Sequence, residues 1–359
     1  MTLEDIARSR LINQRIAATG FSCPKDIVSH LGAVQAQDFF MSKWACGVRL
    51  SGCSEKAIDE AIDKAEILRT HVMRPTWHLV TPEDIHHLLE LTAARIISSM
   101  KSRWKELELD EETIRKSNSI IEKALAKSHL TREEIFKILT PSVSVEGQRG
   151  SHLLFRAELE GIICSGAMKG KKQTYALLED RAPKRSGLNR EEALSLTAKK
   201  YFTSHGPATI KDFIWWSGLS AADAKKAVNL IKSDFIWETI AGEVYLFPGS
   251  FRGADRKDLL NSAFLLPAYD EYIISYKDRE ALLTSEEQKA AISNNGLFRP
   301  VVVINGKVRG IWKRTLRKDS ALIETRMFSN LNDSEKSLVE AAAARFGDFL
   351  KLKAEVKHT

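Results

Sequence analysis

The feature that most constrains this chain is an element pattern that recurs three times: a helix, a short helix, a loop, a longer helix and two strands. The clearest copy begins with "REEALSLTAKKYFTSHG" (190–206), an amphipathic helix stopped at Gly206, and "PATIKDFIWWSG" (207–218), a short helix ended by Gly218. In "LSAADAKKAVNLIKS" (219–233), Ser220 stands as an N-cap before apolar residues at helical spacing. "FIWETIAGEVYLF" (235–247) then reads as two strands around a turn at Ala241–Gly242. An earlier copy keeps the order. "SNSIIEKALAKS" (117–128) precedes "LTREEIFKIL" (130–139), where Thr131 and Glu134 form a capping box. A polar loop leads to "SHLLFRAELEGIIC" (151–164) and a hairpin-like segment. The first copy is more diverged, with helices "LEDIARSRLINQRIA", "CPKDIVSHLGA" and "SEKAIDEAIDKA" (54–65) and a hairpin "ILRTHVMRPTWHLV" (67–80). Three helices closed by a hairpin make the winged-helix variant of helix-turn-helix, a module used for DNA and for protein partners.

After Phe251 the texture becomes alternating and β-branched, as in "SAFLLPAYDEYIISY" and "RPVVVINGKVRGIWKR", with Asn305–Gly306 as a hairpin signal. A helix, "SEKSLVEAAAARFGDFL" (334–350), precedes a last strand, "KLKAEV". The expected fold is α+β: three tandem winged-helix units followed by a C-terminal small β-barrel domain. The expected divisions are 1–110, 111–185, 186–255 and 256–359, within the 359 residues.

Charge and cysteine usage narrow the function. No apolar run approaches the about 18 to 20 residues that cross a bilayer, so no membrane partner is expected. The N-terminus is charged and amphipathic and lacks the apolar core of a secretory signal, which predicts a cytoplasmic address. Cys23, Cys46, Cys53 and Cys164 show no C-x-x-C spacing, and nothing resembles H-E-x-x-H; neither a metal nor a redox cofactor is expected. The net charge of +7, with a pI near 9.1, fits a polyanion. The basic clusters "KGKK" (169–172), "RAPKR" (181–185), "RGADRK" (252–257) and "KVRGIWKRTLRK" (307–318) each lie beside a turn or hairpin. Such tips suit tracking a phosphate backbone, and equally a solvated rim.

Within the first copy, "LGAVQAQDFF" (31–40) puts Gln35 and Gln37 two positions apart, at the place of the loop. On extended backbone both side chains leave one face; on a helix they diverge. Asp38 then faces away, as a structural or orienting residue.

Gln35–Ala36–Gln37, "THVMRPTWHLV", "LLPAYDEY", the three winged helices and the β domain together resemble the AlkZ/YcaQ group of bacterial winged-helix DNA glycosylases, over nearly the whole chain. The YcaQ-like branch has Asp at the second polar position, so Gln37 points to the AlkZ-like branch. The resemblance implies excision of alkylated bases, interstrand crosslinks among them, without metal or redox cofactor, and Gln35 and Gln37 as the catalytic residues.

An amide only donates and accepts hydrogen bonds, whereas general-base hydrolysis wants Asp, Glu or His. Two glutamines suffice where the leaving group is already cationic, as an N7-alkylated guanine is. The task is then to position water and stabilise an oxocarbenium-like sugar. No lysine is placed by the motif for Schiff-base chemistry, so a monofunctional enzyme is expected. A flipped base would need an aromatic platform, for which Phe39, Phe40, Trp44 and Trp77 are candidates, each also suited to a core.

Arg69, His71 and Arg74 in the first hairpin are candidate contacts to phosphates or the lesion strand, or an ordinary charged wing. Tyr269 and Asp270 could face the same channel or be structural, and Arg309 is a candidate phosphate or minor-groove contact. The expected partner is double-stranded DNA carrying alkylated bases, bound by a monomer. The competing expectation is a non-catalytic winged-helix DNA-binding protein or transcriptional regulator, which should expose polar residues along a third helix.

Overall fold

In a computed structural model of the chain, residues 1–184, 187–249 and 261–358 are described. The basic stretch 252–257 and the divisions expected at 185/186 and 255/256 lie outside them. The chain forms two compact units, one of Met1–Ile58 with Ser195–Thr359 and one of Asp59–Leu194.

The second unit holds a winged helix. Asp110 caps the helix Glu111–Leu125 by accepting the Thr113 N–H at 2.7 Å. Thr131 and Glu134 make the reciprocal capping box that opens Arg132–Leu139. The third helix, Arg149–Leu159, packs Leu153, Leu154 and Leu159 onto Ile114, Ile121, Ile135 and Leu139. A three-stranded sheet orders Leu130–Thr131, Thr174–Leu177 and Ile163–Ser165 side by side. The same core takes Ile96 and Trp104 from Pro82–Glu106, a helix of 25 residues. The first hairpin also lies here, pairing Leu68–His71 with Trp77–Val80. Its first strand ends at His71, because Met73 adopts φ +65 and turns the chain.

The first unit carries another winged helix with the expected punctuation. Thr209 and Asp212 box the start of Ile210–Ser217, Gly218 ends it with φ +69, and Ser220 caps Ala221–Leu230. The strands Phe235–Ile240 and Glu243–Pro248 meet at Ala241–Gly242, both at positive φ as a two-residue hairpin requires. The helices Leu3–Asn13 and Pro24–Leu31 belong to the same unit. So does Phe39–Gly47, a helix the repeat pattern does not contain.

The C-terminal sheet corrects the barrel expected from the sequence. Its five strands run in the order Lys353–His358, Ser320–Met327, Lys307–Leu316, Val301–Ile304, Ala263–Leu266. The first and last of these lie at opposite edges, so the sheet is open and curled. Lys353–His358 pairs parallel to Ser320–Met327, and the connection between them is the helix Asp333–Leu350. That helix packs against both edge strands and occupies the side on which a barrel would close. Among the described residues no helix is long and apolar enough to cross a membrane.

Candidate active site

Gly32 ends Pro24–Leu31 at φ +79, a turn that residues with a Cβ resist. The chain leaves it as the short strand Val34–Gln35. It bends at Gln37, because Asp38 accepts the Met41 N–H at 3.0 Å and caps Phe39–Gly47. The extended backbone expected for both glutamines therefore stops at the first. Gln35 is 4 % exposed, whereas Gln37 is exposed beside the cap. One amide is enclosed and the other meets solvent.

Beneath Gln35 lies a buried polar network. Glu271, wholly enclosed, accepts the Gln35 N–H at 2.7 Å through Oε1. Its Oε2 accepts from Trp216 Nε1 at 3.2 Å and from Ser275 Oγ, with His205 Nε2 at 3.6 Å. Burial would raise this carboxyl, but His205, Ser275 and the Gln35 N–H outweigh it and hold it at about 2. Asp270, the preceding residue, caps the short helix Glu271–Ile274 and takes both Arg49 Nη atoms at 2.8 Å. Arg49 also donates to Gln14 Oε1 at 2.9 Å and to the Ala45 carbonyl at 2.7 Å. Burial works against the Arg49 charge; Asp270 and Glu271 offset it and hold the guanidinium above its ordinary value. Asp270 is thus enclosed on Arg49.

Beside Asp38, the residue after Gln37, lies an aromatic and cationic rim. Tyr269 is half-buried at φ +58, and its phenol is pushed up first by burial and then by the charge of Asp38. Phe40 is 40 % exposed, with the Arg314 guanidinium 4.6 Å from its ring centre. Lys43 Nζ lies 5.0 Å from the same ring and 3.3 Å from Glu55. Of the four aromatic candidates, Trp44 is core, donating to the Leu265 carbonyl at 2.7 Å between Phe346 and Phe349. Arg309 does not join this rim. It binds Ser329 Oγ at 2.9 Å and Glu335 at 3.4 Å.

The candidates of the second unit form a cluster of their own. His71 is buried, its Nδ1 2.5 Å from Glu158 and its ring 4.2 Å from Trp77 and 4.4 Å from Phe155. Arg69 lies over the other candidate, Trp77, at 4.3 Å and donates to Gln173 at 2.7 Å. Arg74 sits half-buried in the turn after His71. Among the described residues no three His, Cys, Asp or Glu side chains are grouped as metal ligands are.

A family model described as DNA glycosylase AlkZ-like matches residues 28–349. The chain belongs to the AlkZ-like DNA glycosylase family. A curated relative, an interstrand DNA cross-link repair glycosylase of Streptomyces sahachiroi, is 25 % identical over 311 residues, covering 80 % of this chain and 81 % of its own length. The solved structure of the Streptomyces sahachiroi DNA glycosylase AlkZ superposes with a TM-score of 0.82 at 21 % identity, over 100 % of both chains. That likeness establishes the fold.

For an AlkZ-like chain, two residues stand out that sequence reasoning passed over. Glu271 lies within "LLPAYDEY", one position after the residues singled out there. Arg314 lies in the same basic run as Arg309, at an odd spacing along Lys307–Leu316. Arg309 is the extra residue of a bulge opposite Val302 and Val303, which interrupts strand alternation, so spacing along the run carried no signal for Arg314.

Proposed function

We propose that the protein is a monofunctional DNA glycosylase that hydrolyses the N-glycosidic bond of cationic N7-alkylated purines in duplex DNA, interstrand crosslinks included. The observation that carries this reading is the unequal pair: an enclosed Gln35 held at its main chain and an exposed Gln37 between an aromatic-cationic rim and a helix cap. We read this pair as the reaction centre, as the resemblance of its motif implies.

Water attacks the anomeric carbon as the bond to the alkylated base breaks, and the proton the water loses passes to solvent. The base leaves with the bonding electrons, which neutralise its positive charge, so no acid has to protonate it. The Gln37 amide oxygen orients the water and Gln35 faces the sugar, where positive charge develops. Oriented dipoles of this kind contribute a few kcal/mol in an enclosed site. Tyr269 and Phe40 offer rings at the lesion, and Arg314, Arg69 and Arg74 offer charge to phosphates. An abasic site remains, and the reading requires neither metal nor redox cofactor.

The test is release of 7-methylguanine from a methylated duplex by wild type, Gln35→Ala, Gln37→Ala and the double variant. Loss of release with duplex binding retained supports the reading. Tight binding with no release, from methylated or crosslinked duplex, supports a non-catalytic DNA-binding protein instead. One feature favours that second reading: Ala221–Leu230, a third helix, exposes Lys225, Lys226 and Asn229. The neighbouring groove sets Lys225 and Asn229 beside the apolar Ile210, Val228, Trp237, Val244 and Leu246.

A further inference from the structure

We infer that Glu271 is a positioning residue for the reaction, acting through Gln35. This rests on the glycosylase reading above. Gln35 is the last residue of a two-residue strand, and the chain bends two residues later, at Gln37. Glu271 Oε1 accepts the Gln35 N–H, which fixes the peptide from which the Gln35 amide projects.

The carboxylate is itself held from several elements. Trp216 lies on Ile210–Ser217, His205 ends Arg190–His205, and Ser275 follows Glu271–Ile274. Three side chains distant from the glutamines in sequence thus converge on the oxygen that does not touch Gln35. A wholly enclosed carboxylate is the most expensive acceptor a protein can offer a backbone N–H, and a carbonyl would serve for packing alone. What the carboxylate adds is a stronger, shorter bond and a fixed geometry.

Asp270 does the companion task. Through Arg49 it holds the Ala45 carbonyl in Phe39–Gly47, the helix after Gln37. Adjacent carboxylates therefore pin the strand before Gln37 and the helix after it, and of the two it is Glu271 that bonds Gln35. Sub-ångström placement of this type decides rates, since a shift of about 1 Å can cost on the order of 100-fold.

A double-mutant cycle tests this, with Glu271→Gln made in wild type and in Gln35→Ala, and single-turnover release of 7-methylguanine as the readout. In wild type the substitution should lower the single-turnover rate constant roughly 10- to 100-fold with duplex affinity within about twofold. In Gln35→Ala the same substitution should cost less than about twofold, because the group it positions is gone. Ser275→Ala, which keeps the carboxylate and removes one donor, should show the same dependence on Gln35 with a smaller loss. That variant carries the test where Glu271→Gln does not fold. Equal losses in both backgrounds would assign Glu271 to general stability and overturn the inference, as would full activity of Glu271→Gln. A wild type inert on every cationic lesion would end the glycosylase reading itself; an active wild type with additive losses would end this inference alone.

Discussion

Glu158 and Glu271 are both enclosed carboxylates with a histidine neighbour, one in each unit, and they are used differently. Glu158 holds a side chain: its partner is the His71 ring, 2.5 Å away and packed between Trp77 and Phe155. Glu271 holds backbone: it accepts the Gln35 N–H at 2.7 Å, while His205 stands off at 3.6 Å. A buried charge that grips a ring stiffens the element carrying the ring. One that grips a peptide N–H fixes where the chain goes next, and here the chain goes next to the exposed amide of Gln37. Loss of the His71 partner of Glu158 should therefore appear as lost stability, and loss of the Glu271 carboxylate chiefly as lost catalysis.

The largest effect should come from Arg49→Met, which leaves Asp270 enclosed without its cation. Breaking a buried pair from one side costs about 3–5 kcal/mol, and urea unfolding should register it. Gln37→Ala should do the opposite, lowering base release roughly 100- to 1,000-fold while unfolding shifts by less than about 0.5 kcal/mol. His71→Ala should cost about 1–3 kcal/mol of stability by stranding Glu158, with the rate of the bond-breaking step unchanged in single-turnover assays. If instead release collapses, the second unit contributes to the chemistry and the contrast fails.

Acid titrates the Glu271 network directly. Glu271 is held at about 2 against an ordinary 4.5, so its folded form binds a proton less readily than its unfolded form. Its contribution to stability is therefore present above 4.5 and is lost as pH falls towards 2. Glu271→Gln should flatten that part of the acid unfolding curve. The smallest effect belongs to Arg69→Ala, which should weaken duplex binding uniformly and reduce its salt slope by about one.

Much of this architecture is legible because its chemistry is local. The Thr131–Glu134 box, the Ser220 cap, the Gly218 stop and the Asn305–Gly306 turn are each settled within a few residues. Phe39–Gly47 escapes because it is apolar nearly all round, with Met41 to Gly47 enclosed, and so shows no period to read. Pro82–Glu106 announces itself by a proline and two acids in its first turn, but lies outside the repeat that organises the reading. Sheet closure is a matter of which strands meet, which alternation cannot say. The glutamine pair is legible as a motif, yet its support is not. Glu271 and Gln35 are 236 positions apart, and Arg49 and Asp270 are 221 apart.

An open sheet also has a border to defend. A strand with free backbone donors and acceptors is a template on which another chain can pair, and proteins discourage this with charge. Lys353–His358 forms one border, and its exposed side chains include Lys353 and Lys357. The opposite border, Ala263–Leu266, is largely enclosed. Exchanging both lysines for valine should therefore leave the fold intact and the protein prone to aggregate, since repulsion between copies along that strand would be gone.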